Sequence, residues 1–232
     1  MHVAMHMSDG LVNAPTALGF GLVAILGLTV AAYQARADLD ERTAPMAGLV
    51  TAFVFAVQMI NFPILPGASG HLLGGALVAI LVGPWVGSLC IAIVLVVQAL
   101  LFADGGLTAL GTNITNMAFV GVFTGYAVAR AMRPLARRSR AGLLTTSFVA
   151  ALVNTVAAAL AFVVEYTIGG AGGAGLGTVF TLMVGLHVLI GIGEGVITAA
   201  TVGAVAAARP DLVYLLREPA PVVRTTGEGV AP

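Results

Sequence analysis

The amino-acid sequence predicts an all-α membrane protein, a polytopic bundle of about seven transmembrane helices. Apolar residues make up 59% of the 232 residues and charged residues only 9%. Long apolar runs fill nearly everything between Thr16 and Ala208, and such runs can cross a hydrocarbon core of about 30 Å. One transmembrane domain is therefore expected over residues 15–208, between an N-terminal segment (1–14) and a C-terminal tail (209–232) that we expect to be poorly ordered.

Glycine and proline residues divide the apolar region into elements. Pro15 and Pro45 open the first two spans, a Gly-rich stretch precedes the third, and Gly105-Gly106 precede the fifth. The abundant glycine and alanine residues allow the helices to approach one another closely. The predicted spans are 15–33, 44–61, 71–83, 85–103, 107–130, 141–165 and 177–208.

The segment 71–103 has two interpretations. As a single helix its 33 residues would be about 50 Å long, well beyond a core of about 30 Å. Gly83-Pro84 offers a break, so two short crossings are favoured over one. The six-span alternative would place the N-terminus inside and misplace only Arg36 and Arg42 under the positive-inside rule.

The arginines predict the orientation of the bundle. The chain has no lysine, and with the N-terminus outside and seven crossings every arginine lies on the cytoplasmic side. The C-terminus is then cytoplasmic, and residues 62–70, 104–106 and 166–176 are on the outer side with the N-terminus. The ten arginines are Arg36, Arg42, Arg130, Arg133, Arg137, Arg138, Arg140, Arg209, Arg217 and Arg224.

The dipeptide Met5-His6 can chelate a metal if its amine is free. The α-amine, the next backbone nitrogen and the imidazole Nδ1 close adjacent five- and six-membered rings. In-plane nitrogen donors suit square-planar Ni(II) or Cu(II), and can suit Co(II). Inside a longer chain the dipeptide lacks the amine, so this chemistry depends on where the functional chain starts.

Four motifs occur in order along the chain. Residues 5–10 read Met-His-Met-Ser-Asp-Gly, and residues 66–75 read Pro-Gly-Ala-Ser-Gly-His-Leu-Leu-Gly-Gly. Residues 103–117 contain Ala-Asp-Gly-Gly and Asn-Ile-Thr-Asn-Met, and residues 185–195 contain His-Val-Leu-Ile-Gly-Ile-Gly-Glu. Together, from Met5 to about Leu216, they resemble the CbiM/NikM family, the substrate-capturing membrane subunits of energy-coupling factor transporters for cobalt and nickel.

The resemblance implies a seven-span bundle with its N-terminus outside and a near-planar four-nitrogen metal site. The ligands would be the amine of Met5, the amide and imidazole of His6, and the imidazole of His71. Residues 1–4 depart from the family pattern, in which chains begin at Met-His. A functional start at Met5 is favoured, and Met1-His2 is the alternative chelate, out of the family register.

Further polar residues of the motifs are candidates for supporting this site. Ser69 and Asp9 flank the proposed ligands. Asn113 and Asn116 more simply satisfy backbone groups of their loop, with a supporting role as the lesser alternative. His187 and Glu194 share one helical face, either as a hydrogen-bonded pair that braces the bundle or with a role in metal passage. Gln58 and Asn61 could supply outer bonds.

The resemblance implies transport of Co(II) or Ni(II), with no organic cofactor, across the cell membrane of a prokaryote. The sequence has no Walker A motif, which requires a lysine. The resemblance therefore implies separate ATPase subunits, a transmembrane coupling subunit and often a small accessory membrane subunit, all within the lipid bilayer. A nucleic-acid partner is not expected, because no basic stripe lies outside the loops.

Two other function classes compete with the transport subunit. The segment Gly67-Ala68-Ser69-Gly70 fits the nucleophile motif of rhomboid intramembrane proteases, with His187 as a base, but Ser69 precedes its span. A channel or a secondary transporter is less favoured, because few acidic residues and no internal repeat are present. The choice between cobalt and nickel is not contained in the motifs.

Overall fold

The computed structural model describes residues 6–60, 62–65 and 68–217, with the backbone alone for 62–65 and 68–70. Helices predominate, joined by a short β-hairpin. The elements are α1 (Ala14–Ala35), α2 (Thr43–Gln58), β1 (Phe62–Leu65), β2 (Ala68–Gly70), α3 (Gly75–Val82), α4 (Pro84–Leu101), α5 (Leu110–Asn113), a π-helical stretch (Ile114–Gly121), α6 (Val122–Ala131), α7 (Arg133–Arg138), α8 (Arg140–Gly169) and α9 (Leu176–Ala208).

Four of the described helices are long and apolar enough to cross a membrane. They are α1, α4, α8 and α9, and the apolar helix α2 is shorter at 16 residues. The elements α5, the π-helical stretch and α6 follow one another without a break from Leu110 to Ala131, where one span was predicted. These findings confirm a polytopic helical membrane protein.

The segment 71–103 is broken at Gly83, as Gly83-Pro84 predicted. Gly83 has a left-handed φ of 90°, and it ends α3 and precedes α4. The two helices fold back on each other, because Gly87 of α4 lies against Val78 of α3. A single helix over 71–103 is therefore wrong.

The helix α3 is shorter than predicted and lies at the centre of the bundle. It begins at Gly75 rather than at residue 71, because Gly74 takes a left-handed φ of 78°. Its eight residues are all buried and extend about 12 Å. Residues 71–74 are not helical and are buried as well, so backbone donors and acceptors lie inside the protein there and need partners.

The description all-α misses a hairpin. The strands β1 and β2 pair antiparallel, with Phe62 opposite Gly70 and an irregularity between Pro63 and Leu65. The sequence Pro-Gly between the strands is a turn signal, but the sequence predicts no strand on either side of it. The hairpin leads the chain directly into the segment that carries His71.

One end of the bundle, called here the far end, collects the described arginines. Arg133 of α7 donates to the carbonyl of Leu215 at 2.9 Å and to that of Arg217. Tyr214 packs against Gly83, and Arg217 bonds Thr43 at 2.9 Å. Residues 210–216 form two short 3-10 helices, so the expectation of a poorly ordered tail is wrong for residues 209–217; residues 218–232 lie outside the described residues.

Candidate metal site

Two histidines from distant parts of the sequence meet at the opposite end of the bundle, called here the site end. The centroids of the His6 and His71 rings are 4.6 Å apart, with an angle of 49° between the rings. Both residues are buried, with 8% and 5% of their surface exposed. The structure therefore brings together the two histidines that the sequence proposed as ligands.

The His6 ring is buried, and among the described residues nothing forms a hydrogen bond with it. Neither Nδ1 nor Nε2 has a hydrogen-bond partner among the described residues, although Asp104 Oδ1 lies 3.4 Å from Nδ1. Leaving a buried polar atom unsatisfied costs about 1–3 kcal/mol. Buried polar atoms without a partner in a native protein need an explanation. A metal ion bound to the imidazole would provide one.

The His71 ring is oriented by its own backbone. Its Nδ1 lies 2.8 Å from the carbonyl oxygen of Leu72. When Nδ1–H donates to that carbonyl, Nε2 carries the lone pair and can bind a metal. A hydrogen bond from the other ring nitrogen is the usual way in which a metal-binding histidine is held.

Asn113 fixes the chain beside His6. Its Oδ1 accepts from the backbone N–H of Met7 at 2.9 Å, and its Nδ2 donates to the Met7 carbonyl at 3.2 Å. The N–H of Gly106 donates to the same carbonyl at 2.9 Å. Asn113 thus bonds the backbone of the N-terminal segment beside His6 rather than that of its own loop.

Asp9 ties the same segment to the loop after α4. Its Oδ1 accepts from the Thr108 backbone N–H at 2.8 Å and from the Thr108 hydroxyl at 2.5 Å. These hydrogen bonds hold the pKa of the Asp9 carboxyl below its ordinary value. Gly105, with a left-handed φ of 88°, lies so close to His6 that a Cβ there would be 3.0 Å from the His6 Cβ.

Glu194 braces the segment that carries His71. Its carboxylate accepts from the backbone N–H of Leu73 at 2.7 Å and of Gly74 at 3.1 Å. Asn154 and Thr155 of α8 donate to the same carboxylate at 2.8 and 3.1 Å. Gln58 of α2 donates to the Leu73 carbonyl at 2.7 Å, so α9 and α2 hold the backbone between His71 and α3, and α8 holds Glu194.

Asn154, Thr155 and Asp104 are absent from the residues that the sequence proposed for the site. Asn154 and Thr155 are polar residues inside an apolar span, which is in itself a signal of function or of a buried partner. Asp104 belongs to a motif that had been recognised, but no role was assigned to it. Gln58 was recognised only as one of two possible outer partners.

His187 and Glu194 do not bond to each other. The His187 Nδ1 lies 2.6 Å from the Met183 carbonyl one turn earlier in α9, and the Glu194 carboxylate accepts from Leu73, Gly74, Asn154 and Thr155. His187 is half-buried. Asn116 is buried with an Oδ1 that has no partner among the described residues.

Several proposed residues fall elsewhere. Met1, His2 and Met5 lie outside the described residues, and so does the side chain of Ser69, whose backbone is in β2. Within the described ranges no group of three His, Cys, Asp or Glu side chains is placed to hold a metal ion. A metal at the His6–His71 pair would therefore need donors of another kind, such as backbone nitrogen or a terminal amine.

Comparison with known proteins decides the family. The family described as the cobalt uptake substrate-specific transmembrane region, CbiM, matches residues 6–212. The chain belongs to the CbiM family. The family resemblance seen in the sequence motifs is thereby confirmed, and the transported substrates of this family are cobalt and nickel. Its members are components of metal transport, which favours transport over the protease alternative with Ser69 and His187.

Individual relatives agree with this assignment. A putative fused nickel transport protein (NikMN) of Archaeoglobus fulgidus is 42% identical over 90% of this chain and 68% of its own length. A cobalt transport protein CbiM of Sorangium cellulosum is 31% identical over 92% of this chain and 96% of its own. The crystal structure of a truncated transition metal transporter superposes with a TM-score of 0.81 at 32% identity, covering 88% of this chain and 99% of that one.

Proposed function

We propose that this CbiM-family chain captures Co(II) or Ni(II) at the outer face of a prokaryotic cell membrane, as the substrate-binding subunit of an energy-coupling factor transporter. The observation that carries the proposal is the buried pair of His6 and His71, since neither nitrogen of the His6 ring has a hydrogen-bond partner among the described residues. Divalent ions of the late first-row transition metals, such as Co(II) and Ni(II), bind imidazole nitrogen well.

The donor set would be four nitrogens. His6 would supply its amide and its Nδ1, Met5 its free amine, and His71 its imidazole through Nε2. The amine and the imidazoles must be unprotonated and the amide must lose its proton, so metal binding releases protons. Four nitrogen donors, two of them from the backbone of one dipeptide, also agree with the absence of a three-side-chain cluster in the described residues.

The functional terminus in this proposal is Met5, with Met1-His2 as the alternative. His6 is the residue whose ring meets His71, and its place is fixed by the clamp of Asn113 on the next residue, Met7. A chelate on Met1-His2 would use an amine that lies four residues before Met5 in the sequence, and its imidazole would be that of His2 rather than that of His6. A start at Met5, or removal of residues 1–4, leaves the amine where the His6–His71 pair can use it.

The bundle is proposed to cross the membrane seven times with its N-terminus outside. The helix pair α3–α4 supplies two of the crossings and the run from Leu110 to Ala131 supplies one. All nine described arginines lie at the far end, opposite the site end, which the positive-inside rule places in the cytoplasm. The site end then faces the outside, where a metal ion arrives.

The energy for transport would come from partner subunits. This chain contains no lysine and so no Walker A motif, which implies separate ATPase subunits joined through a transmembrane coupling subunit, with a small accessory membrane subunit as a further partner. The loops 34–43 and 131–140 and the segment 209–217, all at the far end, would be the cytoplasmic contact surfaces.

The test uses His6→Ala and His71→Ala in a chain that starts at Met5. Each variant should lose uptake of radioactive Ni(II) or Co(II) in cells carrying the partner subunits, and the purified protein should lose high-affinity binding of the same metal. Ser69→Ala and the distant surface change Glu41→Gln should retain both. Unchanged metal binding in both histidine variants would contradict the proposal, and cleavage of a model membrane substrate that requires Ser69 would favour the protease.

A further inference from the structure

Asp104 lies against the ring that is proposed to bind the metal. Its Oδ1 is 3.4 Å from His6 Nδ1, and only 11% of its side-chain surface is exposed, against 1% for His6. The contact joins residues 98 positions apart in the sequence, so it is a product of the fold. Asp9, the other acid of the neighbourhood, is bonded to Thr108 instead.

The backbone around Asp104 is built to bring the carboxylate to this position. Ala103 takes a left-handed φ of 51° and Gly105 one of 88°, and for alanine this conformation is strained. The Asp104 N–H is held by the carbonyl of Gln98 at 3.1 Å. Because a strained residue persists only where its surroundings fix it, the turn is a defined part of the site end.

Charge explains why a carboxylate is needed there. When a divalent ion binds the four nitrogens, the His6 amide loses its proton to solvent and becomes an anion, and the other three donors stay neutral. The complex of a 2+ ion with one amidate therefore keeps a charge of +1. His6 and His71 are almost fully buried, and an uncompensated charge in such surroundings is strongly disfavoured.

We propose that Asp104 is the counter-charge of the bound metal, a positioning residue that neutralises the chelate without ligating it. A carboxylate at this place makes the occupied site neutral, so the site favours a divalent ion bound through a deprotonated amide over a monovalent one. The inference rests on the proposed function, because it requires the metal to bind at His6.

The experiment compares Asp104→Asn, Asp104→Glu and the control Glu41→Gln, all in the chain that starts at Met5. Glu41 is exposed at the far end, so its change removes one negative charge far from the metal. Ni(II) affinity is measured by competition with a chelator, and the ligand field by visible absorption at saturation. Thermal unfolding is measured with and without Ni(II), since a ligand of the native state stabilises it by an amount that grows with the logarithm of its affinity.

Asp104→Asn should bind Ni(II) about 10–100-fold more weakly, the usual effect of losing an outer partner of a metal site. Its absorption spectrum at saturation and its thermal midpoint without metal should match the unmodified chain, whereas the stabilisation by Ni(II) should shrink. Asp104→Glu should recover most of the affinity, and Glu41→Gln should bind normally.

Three outcomes would overturn this role for Asp104. Equal Ni(II) affinity in Asp104→Asn and the unmodified chain would show that no counter-charge is needed. A changed absorption spectrum at saturation would make Asp104 a ligand, and a lowered thermal midpoint without metal would make it a structural residue. If the unmodified chain itself bound no metal, the proposed function would fail instead, which keeps the two failures distinct.

Discussion

The two ends of α3 are held by different kinds of contact. At the site end, the buried Glu194 carboxylate accepts hydrogen bonds from the backbone N–H groups of Leu73 and Gly74, just before the helix begins. At the far end, Gly83 packs against the ring of Tyr214, and a Cβ there would lie 2.9 Å from that ring. The difference teaches that the start of α3 is fixed by directional polar bonds, whereas its end is fixed by the fit of Gly83 against the Tyr214 ring.

The helix between these ends is short and has no exposed residue. It therefore joins the segment of His71 to the C-terminal segment 209–217 through about 12 Å of packed backbone. Disturbing the polar end should change metal binding and stability together. Disturbing the far end should change stability while leaving metal binding in the isolated protein intact.

Replacing Glu194 should have the largest effect on this comparison. In Glu194→Ala the N–H groups of Leu73 and Gly74 stay buried without their acceptor, at about 1–3 kcal/mol each. We expect a loss of about 3–5 kcal/mol in unfolding free energy, measured by denaturation in detergent, and Ni(II) affinity lowered about 10–100-fold. Glu194→Gln keeps the shape of the side chain and one acceptor oxygen, so its stability and Ni(II) affinity should lie between those of Glu194→Ala and the unmodified chain. Normal metal affinity in both variants would show that Glu194 does not support the His71 segment.

Gly83→Val should have the next largest effect, and that effect should arise at the far end. Valine is strained at a left-handed φ by about 1–2 kcal/mol, and its side chain would meet the Tyr214 ring. We expect about 2–4 kcal/mol of destabilisation in the same denaturation assay. Ni(II) affinity of the folded protein should stay unchanged, and the combination with Tyr214→Ala should relieve part of the loss. A tenfold weaker affinity would show that the two ends are not separable.

Much of the helical pattern was readable from the sequence, and the site network was not. The predicted spans 85–103 and 177–208 agree with α4 and α9 to within two residues, because Pro84 and the Gly-rich run before Leu176 mark their starts. The start of α3 could not be placed, because the left-handed Gly74 that precedes it is held by Glu194, 120 positions away in the sequence. Apolar periodicity carries no information on such pairs.

Arg133→Ala should have a smaller effect. The guanidinium donates to the carbonyls of Leu215 and Arg217. Its loss leaves the Leu215 carbonyl for water to reach, whereas Arg137 still donates to the Arg217 carbonyl at 3.0 Å. We expect about 1–2 kcal/mol of destabilisation and faster amide hydrogen exchange in residues 212–217. Arg133→Lys offers only a point charge and should restore little of the protection. Unchanged exchange in residues 212–217 would show that α7 does not hold this segment.

Asp9→Ala should have the smallest effect. The exposed carboxylate forms two bonds with Thr108, together worth about 1 kcal/mol in such surroundings. Because its pKa is lowered in the folded state, this contribution is full above the unfolded pKa of about 4 and is lost as the pH falls through the lower folded value. The stability difference between Asp9→Ala and the unmodified chain should therefore vanish at low pH; a difference independent of pH would assign it to packing.

In the proposed site, a free amine on Met5 completes the donor set of His6 and His71. The most direct measurement compares Ni(II) binding by three purified forms: a chain with a free amine at Met5, the same chain with that amine acetylated, and the chain that begins at Met1. The first form should bind one Ni(II) tightly with the absorption of a square-planar nitrogen complex, and the other two should lose both the affinity and the spectrum. Equal binding by all three forms would contradict the chelate.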